Sequence, residues 1–278
     1  MTSLAKIDQF SVIKLTGPDS LSFMQGQVTC DINRLEQEKF VPGCHCNAKG
    51  KMWSTFIALK QDEALYLVMS RESAVASLAE LKKYGVFAKT EIEDDSENWF
   101  IYGADSESSD SISIKLAQQH YLILSRTEKD ADAPASNWWQ KEILSGRAHL
   151  FTNTVSEYVP QMLNLQALDY ISFNKGCYMG QEMVARMRYL GKNKRALFIA
   201  KSEQPLTLTP GDDMYISLKG NRRSSGKVVN SCVTDGQTYV QLVLPKDTQL
   251  TETIYINQDD DTALLLLPLP YSLEQEQG

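Results

Sequence analysis

Residues 173–195 read F-N-K-G-C-Y-M-G-Q-E-M-V-A-R-M-R-Y-L-G-K-N-K-R. Gly176 and Gly180 bracket Cys177, Tyr178 and Met179. Glycine permits positive φ and close backbone approach, so a tight turn is expected. From Gln181 onward Met183, Val184, Met187 and Leu190 recur at helical spacing. Glu182 suits the first turn of that helix and Gly191 suits its end. Cys177 would then precede a helix N-terminus with Lys175 two residues back. Both features favour thiolate, which makes Cys177 a candidate reactive thiol. The same residues also fit an inert cysteine in a structural turn.

Working outward, the chain has 278 residues, 42% hydrophobic and 23% charged, with a net charge of −7. This is ordinary globular composition, and the length suits two domains. An acidic chain is not a general nucleic-acid binder, although local basic patches remain open to it. The opening M-T-S-L-A-K-I-D-Q-F lacks the apolar region of a signal peptide. The longest apolar run, residues 263–267, is too short to span a bilayer. Cys30, Cys44, Cys46, Cys177 and Cys232 form no even framework. A cytoplasmic protein without membrane contact is expected, and a monomer.

In order, residues 9–15 read as a strand and residues 19–26 as a capped helix. In residues 42–51, P-G-C-H-C-N-A-K-G-K, Cys44 and Cys46 are one residue apart and no second pair follows. Zinc sites need wider spacing and two pairs, so a strand entering a hairpin is the expected reading. On that strand the two cysteines share a face and His45 lies opposite. Residues 52–59 and 64–69 read as paired strands, and residues 73–84 as a helix burying Val75, Leu78, Ala79 and Leu81. Strands follow over residues 86–92, 99–102 and 121–124. This order fits an α+β layer of ferredoxin-like type. Trp138 and Trp139 begin a helix stopped by Gly146. Beyond Gly191, short strands over residues 196–200, 214–218, 226–229, 238–244 and 253–257 alternate with turn signals. They predict a small β-barrel, with the boundary near Lys192. The polar tail over residues 271–278 is expected to fray.

Residues 183–202 contain no acid but carry Arg186, Arg188, Lys192, Lys194, Arg195 and Lys201. In residues 214–234, Lys219, Arg222, Arg223 and Lys227 recur without an acid before Thr234. Such runs suit an anionic ligand tail or phosphates, and equally a solvated face.

K-G-C-Y-M-G-Q-E resembles the signature K-G-C-Y-x-G-Q-E of the YgfZ family, folate-binding, tRNA-modifying proteins of bacteria whose mitochondrial relatives help assemble iron–sulfur clusters. T-G-P-D-S-L-S-F-M-Q-G-Q-V-T-C-D resembles that family's G-x-D-s-x-x-F-x-Q-G-Q-x-T-x-D. W-W-Q-K-E-I-L-S-G is similar to W-x-x-x-x-I-x-x-G, and P-Q-M-L-N-L-Q-A-L to P-Q-x-x-N-L-x-x-L. The resemblance runs from Phe10 to Leu273. It implies two interlocked ferredoxin-like layers around a central folate channel within residues 1–191, the second layer over about residues 43–132, then a β-barrel over residues 192–278. It also implies tetrahydrofolate or a derivative in the channel. The family's two folate-contacting tryptophans fall on Phe10 and Trp138, and Lys175 and Arg186 are further candidate contacts. Phe10 keeps a π-face and lacks the indole donor.

The related aminomethyltransferase branch, the T-protein, carries acids in N-A-x-G-G-x-x-D-D. Here N-A-K-G-K-M-W-S-T stands, with no acid in the run. A neutral side chain cannot do the carboxylate's work. The expected function is therefore a folate-binding accessory protein, not an enzyme in its own right. It would support iron–sulfur enzymes and tRNA thiomethylation, with radical tRNA-modifying enzymes as partners. A tetrahydrofolate-dependent one-carbon transferase or demethylase, and a direct tRNA-binding module, are the alternatives. The basic runs are assigned to the folate tail ahead of tRNA.

Overall fold

The computed structural model describes residues 3–191, 193–218, 221–258 and 261–273. Lys192, Lys219 and the end of the tail, residues 274–278, lie outside the described residues, and with Lys192 the expected domain boundary.

The chain runs β1 (Leu4–Lys6), β2 (Phe10–Thr16), α1 (Ser20–Gln25), β3 (Val41–Cys46), β4 (Met52–Gln61), β5 (Ala64–Ser70), α2 (Arg71–Gly85), β6 (Glu91–Asp94), β7 (Phe100–Ala104), β8 (Ile112–Ala117), β9 (His120–Ser125), α3 (Ala135–Leu144) and α4 (Gln181–Tyr189). It continues through β10 (Arg195–Ser202), β11 (Asp213–Leu218), β12 (Asn221–Thr234), β13 (Gln237–Pro245), β14 (Thr253–Tyr255) and β15 (Ala263–Leu267). Three short 3-10 turns, Thr152–Thr154, Pro160–Leu163 and Leu165–Leu168, lead into the turn before α4.

A five-stranded antiparallel sheet has the order β3-β4-β5-β2-β6, and a four-stranded one the order β1-β7-β9-β8. β1 and β2 are near neighbours in sequence yet join different sheets, so the chain ties the two together at its start. Residues 43–70 join β2 and β6. The observed strand orders are antiparallel sheets of five and four strands.

Strand period explains the layering. Phe10 and Val12 of β2, Ile57 and Leu59 of β4, and Tyr66 and Val68 of β5 face a core shared with Ile101, Leu122, Trp138 and Trp139. The alternate residues Ile13, Leu15, Phe56, Ala58, Leu65 and Leu67 face a second core with Met24 and Leu81. Both faces are covered, so these strands read as nearly continuous apolar runs. The helix α2 is capped by Ser70, whose hydroxyl accepts from the Ser73 amide. It buries Ser73, Ala74, Ser77, Leu81 and Gly85, a stripe at helical spacing. Val75, expected on that face, is 72% exposed because it sits off the stripe. The strand expected over residues 86–92 begins only at Glu91, after a turn that leaves Phe87 exposed.

The C-terminal strands close into a six-stranded barrel of order β10-β13-β12-β11-β14-β15, as the sequence predicts. Closure comes from β10, which pairs with β13 on one side and β15 on the other. Among the described residues no helix is long and apolar enough to cross a membrane.

Candidate functional site

The two longest sequence landmarks meet in space. Lys175 reaches from the signature turn into the loop after α1 and donates to the carbonyls of Gln25 (2.7 Å), Val28 (2.8 Å) and Cys30 (2.7 Å). Three acceptors satisfy all three ammonium hydrogens. The Met179 amide donates to Gly26 O, and the Ser172 amide to Thr29 O. Thr29 Oγ1 donates to Tyr170 O at 2.6 Å. Burial lowers the Lys175 pKa to about 8. Lys175 is thus a tie between two loops, with no hydrogen left for a thiolate or a ligand.

Gly180 caps α4 with φ +82°, a conformation that suits glycine. Cys177 lies three residues before this cap and is exposed. Arg186 sits on the exposed side of α4, 3.4 Å from Glu182, and lines neither of the cavities described below.

Phe10 and Trp138 do come together. Their rings meet edge to face at 5.6 Å, and both side chains are buried. Trp139 packs edge-on against each of them, and His149 lies 5.1 Å from the Phe10 ring. Trp138 Nε1 donates to Tyr121 O at 3.1 Å. The space left between Phe10, Ile57, Val68, Trp138, Glu142 and His149 is about 10 Å³. That is room for about one water and no more.

A buried ionic cluster beside this cavity escaped the sequence reading. Glu142 of α3 takes His120 Nε2 (2.5 Å) and Arg147 Nε (2.9 Å) on one oxygen and His149 Nε2 (2.7 Å) on the other. Burial pulls the Glu142 pKa upward, and Arg147, His120 and His149 overcome it and hold the carboxyl well below the usual range. Gln241 of β13 donates to the carbonyls of Ile143 and Arg147, which fastens the cluster to the barrel. One signal was available. Glu142 follows Trp138 by four residues, on the same buried stripe of α3.

Trp139, itself buried, also borders a larger space. A groove of about 430 Å³ runs between the N-terminal body and the barrel, bounded by Glu72, Trp139, Phe151, Leu208, Asn230 and Ser231. Its size is that of a small-molecule site. Asn230 is 5% exposed, its Oδ1 accepts from the Ser231 amide, and its Nδ2 has no partner among the described residues. Glu72 Oε2 accepts from the amide and hydroxyl of Thr152 at 2.6 and 2.7 Å. Trp53 and Ser54 stand on β4, and Ser54 is buried and donates to Ser77 at 3.2 Å. Among the described residues no group of three His, Cys, Asp or Glu side chains is arranged to hold a metal ion.

Two sheets packed face to face, a closed barrel and a joining helical segment make up an aminomethyltransferase-like fold. The fold is shared with glycine cleavage system aminomethyltransferase T from Bartonella henselae, with a TM-score of 0.65 and 14% identity over 96% of this chain and 84% of that one. No protein-family model matches. The tRNA-modifying protein YgfZ of Colwellia psychrerythraea is 36% identical over 99% of this chain and 95% of its own length. The YgfZ protein of Yersinia enterocolitica is 33% identical over 99% and 94%. The chain belongs to the YgfZ family.

Proposed function

We propose that the chain is a folate-binding accessory protein for tRNA modification, acting beside iron–sulfur enzymes without transferring a one-carbon unit itself. The observation that carries this reading is the groove at Trp139, a ligand-sized aromatic slot whose one acid, Glu72, is engaged by Thr152. A planar ring can lie on Trp139 and Phe151, with the free Asn230 amide donating to a ring or carbonyl acceptor. The inner cavity at Phe10 and Trp138 is too small for a pterin. Those two side chains would instead hold Trp139 from behind. Tetrahydrofolate, when bound, would supply the one-carbon chemistry or the redox sensitivity that the side chains lack.

Three points support a binding role over turnover. The run that carries two acids in the transferase carries none here. Glu142, the one acid lining the inner cavity, is held ionised by three partners. The relatives above are named for tRNA modification. Client enzymes would be radical iron–sulfur enzymes that modify tRNA.

Calorimetric titration with tetrahydrofolate tests the binding half. Saturable binding to the wild type, weakened about tenfold in Asn230→Leu, is expected for one lost hydrogen bond to a buried donor. Binding untouched by Asn230→Leu would remove the ligand from the groove. No binding to the folded wild type would end the folate reading. Thiomethylated nucleosides in tRNA from cells lacking the gene should fall, and unchanged levels would end the tRNA reading. Turnover of a methylamine donor with tetrahydrofolate would instead establish the one-carbon transferase.

A further inference from the structure

Several charged side chains at the domain junction, unopposed in the sequence, are paired. Lys201 meets Glu203 at 2.6 Å, Lys227 meets Asp213 at 3.4 Å, and Arg222 meets Asp261. Elsewhere Lys6, Lys14 and Lys129 are likewise opposed by Glu128, Glu93 and Asp110. One face differs. Lys49 and Lys51 flank Gly50, and Gly50 is pressed against α4, since a Cβ built there would lie 2.8 Å from Met183 Cβ. Gln161 draws Lys194 to the same place. Its Nε2 donates to Val184 O and its carbonyl accepts from Asn193 Nδ2, the residue before Lys194. Among the described residues no acid pairs with Lys49, Lys51, Arg188 or Lys194. Arg186 has only the exposed Glu182 partner, a contact of little strength.

The same face carries a flat stack. The Arg188 guanidinium lies 3.9 Å from the centre of the Phe173 ring and 5.5 Å from that of Tyr189. Tyr189 is 69% exposed. Folding thus brings Phe173, Arg188 and Tyr189 together.

We propose that this face, formed by the signature turn, α4 and the β3–β4 hairpin, binds a single-stranded stretch of tRNA. Lys49, Lys51, Arg186 and Lys194 hold phosphates, and Tyr189 with Arg188 stacks a base. Cys177 is exposed in the turn that leads into this helix. The proposal rests on the tRNA reading above and assigns the anionic partner of the basic junction to RNA rather than to the folate tail. An acidic protein would use the same cations and would gain little from a stacking ring.

The test is fluorescence anisotropy with unfractionated tRNA from about 50 to about 200 mM salt. Wild-type binding should weaken steeply with salt. The pair Lys49→Ala and Lys51→Ala should flatten the slope of log K against log salt by roughly 1.4, about 0.7 for each phosphate contact. Tyr189→Ala should lose about tenfold in affinity while Tyr189→Phe keeps it. No binding at low salt overturns the proposal, and so does a slope unchanged in the lysine pair. Equal affinity in Tyr189→Ala and Tyr189→Phe would remove the stack and leave an acidic partner as the reading. Tetrahydrofolate titration of the same variants is independent, because none of these residues lines the groove. Normal folate binding without tRNA binding would sink this surface alone.

Discussion

Gly50 and Gly180 touch backbone to backbone. A Cβ added at Gly180 would lie 2.5 Å from Asn47 O and 3.0 Å from Gly50 Cα, and both residues have positive φ. The β3–β4 hairpin and the signature turn can approach this closely because neither carries a side chain there.

Gly180→Ala should therefore shift the hairpin or unseat the turn. A cost of about 2 kcal/mol or more is expected from overpacking and backbone strain together. Urea denaturation would show the midpoint fall, whereas Gly176→Ala should be nearly silent because its Cβ would meet nothing.

Thiol reactivity should be confined to one position. Burial pushes Cys30 and Cys232 up to about 12, raises Cys46, and with help from Cys46 lifts Cys44 well above its usual value. Cys177 alone is exposed. Native protein treated with iodoacetamide at neutral pH should gain one label, located at Cys177 by peptide mass. Early labelling of Cys44 or Cys46 would show that the hairpin opens.

Glu142→Gln should be costly. It leaves Arg147 and the two histidines facing a neutral amide in a buried setting. Breaking a buried ion pair from one side costs about 3–5 kcal/mol, which a denaturation midpoint would register. Because Arg147 and Gln241 link this cluster to β13, the loss should be felt in the barrel as well.

Acid sensitivity should begin with His45. Burial lowers its pKa to about 4 from 6.5, and its Nδ1 lies 2.9 Å from Ser77 Oγ. Between those values the unfolded chain binds a proton that the folded chain does not. Stability is therefore complete above 6.5 and falls as the pH drops toward 4, by roughly 3 kcal/mol in all. Stability measured against pH should lose this slope in His45→Asn, and a slope that persists would assign it to another group.

The sequence was most informative where its periods were strong. The apolar runs of β2, β4 and β5 and the turn-punctuated barrel strands were legible, because the sheet strands are covered on both faces and the barrel strands are short and set apart by turn signals. β1 is three residues long and β8 lies between acidic and polar segments, so neither had a period to read. Side-chain direction was the harder matter. Lys175 looked like the companion of Cys177 from spacing alone, yet the turn aims it at carbonyls some 150 residues away. Glu142 and His120 are 22 residues apart, and only the packing of α3 on β9 joins them.

The placement of β1 has a consequence for synthesis. Leu4, Ala5 and Lys6 pair with Ala104, Gly103 and Tyr102, so they have no partner until about a hundred residues have emerged. At ordinary rates of about 5–20 residues per second this interval lasts several seconds. During it the β3–β4–β5 meander can form from local contacts. β7 can take β1 as it emerges, and its other side is an open template for any extended segment nearby until β9 is made. β1, made about a hundred residues ahead of its partner, is thus among the last elements of the N-terminal body to lock. A ribosome pause just after residue 125 would favour correct pairing over misassembly.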